Sequence, residues 1–210
     1  MNSAFVPVKI CGLTREADVD AAVSSGAQAL GFVLYPASPR AVTAQRAAEL
    51  ASRLPAFVAP VLLFVNASTE EVQRACDQVP GAWLQFHGDE TPAYCRQFNI
   101  PYLKALRVRP GVDLLQYARE YHGARGLLLD AFVEGTPGGT GATFDWALIP
   151  KNLPLPVVLS GGLTPGNVAA SIRVVRPWAV DVSSGVEISK GIKSAEKIAA
   201  FVTGVRNADV

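Results

Sequence analysis

The sequence predicts a (β/α)8 barrel, and three observations lead there. Short β-branched or leucine-rich runs alternate with segments of helical periodicity, the mark of a parallel sheet covered by helices. Eight such units follow one another without a break in composition, in a chain of 210 residues and 22.2 kDa. Half of the residues are hydrophobic and only 18% are charged. An average soluble domain has roughly 25% charged residues, so the deficit suits strands buried on both faces. A doubly wound open sheet is the structural alternative, but eight consecutive units of about 25 residues fit a closed barrel better. One domain over 1–210 is expected, lean for a fold whose usual size is about 250 residues.

The runs are read in order. VKIC (8–11) precedes a helix over 16–24, ALGFVL (29–34) one over 44–54, and PVLLFV (60–65) one over 69–78. WLQFHG (83–88) precedes a helix over 92–98, and PYLKALRV (101–108) one over 114–121. GLLLDA (126–131) leads only to a stub near Trp146. PVVLSGG (156–162) precedes a helix over 166–174, and AVDVSSG (179–185) the last one, over 195–204. Thr14, Thr43, Ser68, Thr91, Thr164 and Ser194 stand where a side-chain oxygen can cap a first turn.

Nineteen Lys and Arg against 18 Asp and Glu leave a net charge of +1, which removes the broad attraction of a nucleic-acid or anionic-membrane binder. The expected partner is a small molecule, with no nucleic acid and no membrane. No apolar run approaches the roughly 20 residues that span a bilayer, and the start lacks a signal segment, so a cytoplasmic protein is expected. Cys11, Cys76 and Cys95 form no close pair, and His87 and His122 are the only histidines. Neither a disulfide framework nor a metal centre is suggested, and no cofactor is expected. Periodicity marks no apolar dimer face, so monomer and homodimer both stay open.

In a parallel barrel, function sits at the carboxyl ends of the strands. Those ends carry Cys11, His87, Arg107, Asp130, Ser160-Gly161-Gly162 and Ser183-Ser184-Gly185. Side chains alternate across a strand, so Cys11 shares a face with Lys9, His87 with Gln85, and Ser183 with Asp181. Their neighbours are apolar, which points the polar set inward. Lys9 and Asp181 would lie a layer deeper on the first and eighth strands, where each charge needs a partner, so they are expected to pair. LSGGLTPGNV (159–168) and DVSSGVE (181–187) place glycines after a strand and ahead of a turn or helix. Such loops seat phosphate in many barrels, or merely permit tight turns. Taken alone, Cys11 fits a buried small hydrophobe as well as a base. Arg40 fits a surface arginine, and His87 fits either a substrate contact or a strand-end cap.

KICGLT (9–14), GFVLYPASPR (31–40), LQFHGDE (84–90), LLLDA (127–131), GGTGATFDW (138–146), LSGGLTPGNV and RPWAVDVSSGVE (176–187) run in order across nearly the whole chain. Together they resemble the phosphoribosylanthranilate isomerases of tryptophan biosynthesis. The resemblance implies a (β/α)8 barrel carrying out a cofactor-independent Amadori rearrangement of N-(5-phosphoribosyl)anthranilate to 1-(2-carboxyphenylamino)-1-deoxyribulose 5-phosphate. It further implies Cys11 as general base, Asp130 as general acid, and Arg40 as the partner of the anthranilate carboxylate. Substrate contacts are expected from Arg40, His87, Gly139, Gly141 and Asp181, and phosphate contacts from Gly161, Gly162, Ser183, Ser184 and Gly185. The segment 135–146 reads either as a loop that closes over the site or as an ordinary flexible connection.

Opening the ribose requires an acid at the ring oxygen, and forming the ketose requires a base at C2. A carboxyl group serves as the acid where desolvation opposes its ionisation, and a thiol serves as the base through its thiolate. Rival phosphosugar barrels fit less well: metal-dependent epimerases need more histidines, and indole-glycerol-phosphate synthases need lysines at strand ends. A phosphometabolite-binding barrel without catalysis would keep the glycine-rich loops but would not require Cys11 with Asp130.

Overall fold

Eight parallel strands pair in chain order and close on themselves, with β1 (Val8–Cys11) hydrogen-bonded to both β2 (Ala29–Val33) and β8 (Ala179–Val182). The others are β3 (Ala59–Phe64), β4 (Trp83–Phe86), β5 (Tyr102–Val108), β6 (Gly126–Ala131) and β7 (Val157–Leu159). The structure is a computed structural model that describes residues 5–131 and 145–208. The predicted barrel is therefore the observed fold. Several sequence runs extend past the observed strands, because His87, Ser160 and Ser183 already belong to the turns that leave the sheet.

The helices are α1 (Glu16–Ser25), α2 (Ala44–Ala51), α3 (Thr69–Gln78), α4 (Pro92–Arg96), α5 (Leu114–Glu120), α6 (Val168–Val175) and α7 (Ala195–Arg206). Four predicted caps form: Thr43, Ser68, Thr91 and Ser194 each accept a backbone N–H of the first turn. At α3 the arrangement is reciprocal, since the Glu71 carboxylate also accepts the Ser68 N–H. Two predicted caps do not form. Thr14 instead donates its hydroxyl to the Gly191 carbonyl at 2.7 Å. Ahead of α6, the side chain of Asn167 accepts from the Thr164 N–H and donates to the Gly162 carbonyl. That bridge makes Asn167, not Thr164, the residue that precedes the helix, and α6 starts at Val168 rather than at 166. The stub near Trp146 is a single 3-10 turn, Trp146–Leu148, capped by Asp145.

One element is absent from the sequence reading. Beyond β8 the chain makes a 3-10 turn, Ser184–Val186, then an antiparallel hairpin of β9 (Glu187–Ser189) and β10 (Ile192–Lys193). Gly191 turns it at φ +80°, a backbone conformation that other residues rarely adopt.

Strand alternation divides the core into two compartments. Ile10, Leu30, Leu62, Leu84, Leu127, Leu129 and Val180 belong to the large apolar cluster shared with the helices. Leu103, Ala105, Leu128 and Val158 form a separate cluster inside the barrel, with Ala179 against it. Cys11, Val33 and Leu63 form a third, toward the carboxyl rim. The expected inward pair lies in this interior: Lys9 Nζ is 2.7 Å from Asp181 Oδ1, and the two residues are register partners across the β1–β8 seam.

Lys104, in the middle of β5, has the opposite parity from Leu103 and Ala105. Its ammonium reaches Glu90 Oε2 at 2.9 Å and the Gly88 carbonyl at 2.5 Å, and it lies over the Tyr121 ring. Glu90 also accepts the Asn66 and Gly88 N–H groups, so this buried pair ties the turn after β4 to the end of β3. Removing one partner of a buried pair strands the other charge. Lys104→Met is expected to lower unfolding stability by about 3–5 kcal/mol, measured from urea-unfolding midpoints. A midpoint equal to that of the parent protein would refute this role for the pair.

Candidate active site

The carboxyl ends of the strands open onto a cleft enclosing about 900 Å³ with its mouth included, within the range that small-molecule sites occupy. Cys11 lines it from β1, Arg40 from the loop after β2, and His87 from the end of β4. Asp130 lines it from β6, Gly161 and Gly162 from the β7 loop, and Asp181, Ser183 and Ser184 from β8 and its loop. Nine of the twelve residues singled out by sequence thus face one cavity. Gly185 lies behind the lining, where a Cβ would run into the Leu163 carbonyl oxygen, so its bareness lets the β8 loop touch the β7 loop. Gly139 and Gly141, and with them residues 135–144 of the candidate closing segment, lie outside the described residues.

Cys11 is buried opposite Gly31, its register partner on β2. A Cβ at Gly31 would fall 2.7 Å from the Cys11 sulfur and 3.2 Å from Lys9 Nζ, so the glycine leaves the space in which thiol and ammonium sit together. Burial pushes the thiol above its ordinary range, and the Lys9 charge draws it back only in part. Burial likewise opposes the Lys9 charge, but Asp181 and Cys11 together outweigh it and hold the ammonium above the usual lysine range. Asp181 is fixed on its second oxygen by the Ser160 hydroxyl, which donates at 3.0 Å. It therefore faces the cleft while already holding Lys9.

Asp130 is the next-to-last residue of β6, after three buried leucines. The ring of His87 stands beside it, with Nε2 3.3 Å from Asp130 Oδ2, close enough for electrostatic contact though not aligned as a hydrogen bond. Gln85 Nε2 lies 3.0 Å from His87 Nδ1. When the amide donates there, the ring proton sits on Nε2 and faces the carboxylate. Cys11 and Asp130 project from strands separated by β7 and β8, so they approach the cleft from different parts of the rim.

Arg40 is buried and already engaged: its Nε and Nη2 donate to the two oxygens of Glu187 at 2.7 and 2.8 Å. Glu187 is the last residue of the DVSSGVE motif, to which sequence reasoning gave no role. Lys193 on β10 was missed altogether. Its available signal was Lys190-Gly191 between two short alternating segments, a hairpin turn pattern. Among the described residues no group of His, Cys, Asp and Glu is arranged to hold a metal ion. No helix among them is long and apolar enough to cross a membrane.

A thiol, a carboxyl group and glycine-rich loops gathered at the carboxyl end of a closed parallel barrel define a (β/α)8-barrel enzyme of small-molecule chemistry. The family model described as N-(5'phosphoribosyl)anthranilate (PRA) isomerase matches residues 8–204, and the chain belongs to that family. It is accordingly an enzyme that catalyses an isomerisation, in tryptophan biosynthesis. The N-(5'-phosphoribosyl)anthranilate isomerase of Dechloromonas aromatica is 64% identical over 202 residues, covering 96% of this chain and 97% of the relative. That of Leptothrix cholodnii is 59% identical, covering 100% and 94%. Among solved structures, the phosphoribosyl anthranilate isomerase of Thermotoga maritima superposes with a TM-score of 0.88 at 39% identity, covering 96% and 98%. A further isomerase structure, in complex with reduced 1-(o-carboxyphenylamino)-1-deoxyribulose 5-phosphate, gives 0.85 at 38% identity, also covering 96% and 98%.

The raised Cys11 thiol has a direct signature. Alkylation of Cys11 by iodoacetamide, followed by mass spectrometry of its peptide, is expected to be slow at pH 7. The rate should keep rising above about pH 8.5, where an ordinary thiol is half ionised. A rate that levels off below that pH would contradict the arrangement.

Proposed function

We propose that this chain converts N-(5'-phosphoribosyl)anthranilate to 1-(o-carboxyphenylamino)-1-deoxyribulose 5-phosphate, with Asp130 as general acid and Cys11 as general base. The observation that carries the reading is the convergence of these two groups, from separate strand ends, on one cleft walled by the β7 and β8 loops. A relative of 38% identity binds the reduced form of that product.

Asp130 protonates the ring oxygen of the ribose; the C1–O bond breaks as the anilino nitrogen supplies its electron pair, giving an open-chain iminium. The carboxylate left behind stabilises that cation. The Cys11 thiolate then removes the proton from C2, and the C–H electrons form the C1–C2 double bond of an enolamine. Return of a proton to C1 and loss of the C2 hydroxyl proton give the ketone, so no atom is gained or lost. A thiol held above its ordinary range suffices because the iminium strongly acidifies the C2–H, and the cation itself favours the thiolate.

Phosphate is seated by the β7 and β8 loops. Gly161 and Gly162 adopt φ +81° and +64°, conformations open to glycine, so bare backbone lies against the cleft. Ser183 and Ser184 add hydroxyl groups from the neighbouring loop. Arg40 holds the anthranilate carboxylate, and His87 assists Asp130.

The test is depletion of N-(5'-phosphoribosyl)anthranilate followed by its fluorescence. The parent protein is expected to turn it over, and Cys11→Ala and Asp130→Ala each to lose about 10²–10⁴-fold in kcat. Undiminished turnover in either variant would overturn the role given to that residue.

A further inference from the structure

The hairpin β9–β10 carries two buried charges that the acid–base chemistry does not use. Glu187 accepts from Arg40 on both oxygens and from Lys193 Nζ at 2.9 Å. Lys193 is 2% exposed, and its ammonium also donates to the Ser183 carbonyl at 3.0 Å and lies 3.3 Å from the Ser183 hydroxyl. One carboxylate therefore joins the loop after β2, which carries Arg40, to the loop after β8, which carries Ser183. Both ends rest on the same glycine. A Cβ at Gly12 would fall 2.5 Å from Arg40 Cδ and 3.1 Å from the Ser183 hydroxyl.

A guanidinium has five N–H groups. Glu187 takes one on Nε and one on Nη2, which leaves the edge formed by Nη1 and Nη2, the edge a second carboxylate can engage bidentately. Charge supports the same conclusion. An isolated Arg40–Glu187 pair is formally neutral and would pull weakly on an anion; Lys193 returns the cluster to a formal +1. Burial alone would push the Glu187 carboxyl up, but Arg40 and Lys193 together hold it below its usual range. A net cation kept inside the protein is compensated when an anion arrives.

We propose that Glu187 and Lys193 are positioning residues for the two anionic ends of the substrate. Glu187 fixes Arg40 so that its free edge meets the anthranilate carboxylate. Lys193 sets the charge of the cluster and holds the Ser183 loop for the phosphate. This rests on the substrate assignment made above, and the test separates the two.

Glu187→Gln keeps the shape but replaces one acceptor oxygen by a donor. It is expected to raise KM by about 10-fold or more, with kcat within about 3-fold. Binding of anthranilate, a probe of the carboxylate end, should weaken about 10-fold by calorimetry, while binding of ribose 5-phosphate stays within about 2-fold. Glu187→Asp, which retains the charge on a shorter stem, should fall between the two. Lys193→Met is expected to weaken both probes. A folded Glu187→Gln enzyme with unchanged KM, or one that loses both probes equally, would overturn the proposal by showing either no role or general loosening. If Glu187→Gln does not fold, Glu187→Asp carries the same comparison; failure of both to fold would make the cluster a structural tie and overturn positioning. Absence of turnover in the parent protein would remove the substrate assignment. Equal anthranilate binding by parent and Glu187→Gln would remove this proposal independently.

Discussion

The ion pair between Lys9 and Asp181 stands where the last strand of the barrel meets the first. A closed sheet has no free edge, but it must register its final strand against its initial one after seven intervening pairings. A buried lysine facing any residue other than a carboxylate would leave a charge without compensation. The seam is therefore discriminated by charge as well as by shape. Because both residues point inward, Asp181 lines the cleft while it holds Lys9. Through Ser160 the pair reaches the start of the β7 loop, and through the gap left by Gly31 it reaches the thiol of Cys11.

That arrangement explains why so few charged residues suffice. Polar groups buried in the protein cannot be solvated by bulk water, so each must be answered by another polar group. Lys9 answers Asp181, Lys104 answers Glu90, and Arg40 with Lys193 answers Glu187. The formal net charge of the chain is only +1, while Arg40, Lys193 and Glu187 form a buried cluster that is itself formally +1. In such surroundings low polarity strengthens attraction for an anion and salt screens it little.

Much of the fold was legible because strand alternation and helix capping act over a few residues. Period-two placement of Lys9 with Cys11 and of Gln85 with His87 sufficed to aim them inward, and Ser68 marked a helix start by local hydrogen bonding alone. The pairing of Lys9 with Asp181 was legible for the same reason, once the chain was taken to close. Thr14 was misread because its partner is not in the local pattern: Gly191 reaches it from 177 residues away. At Thr164 the competitor is local, since Asn167 three residues on bridges the turn and takes the position ahead of the helix. The hairpin after β8 was lost to a different cause, since strands of three and two residues are too short for alternation to stand out, and Lys190-Gly191 was the one local mark of the turn.

Arg40 shows what separates a motif from a site. In sequence it is one basic residue in a proline-rich loop. In the structure its orientation is determined by Glu187, which is itself held by a lysine six residues further along. Neither partner has a pattern of its own, and the three assemble only because the hairpin folds back against the loop after β2. A guanidinium that was not held would lose rotamer freedom each time it met a ligand. One already fixed by a buried carboxylate has lost that freedom on folding, so the orientation that the proposed substrate would meet is a property of the barrel closed around Lys9 and Asp181.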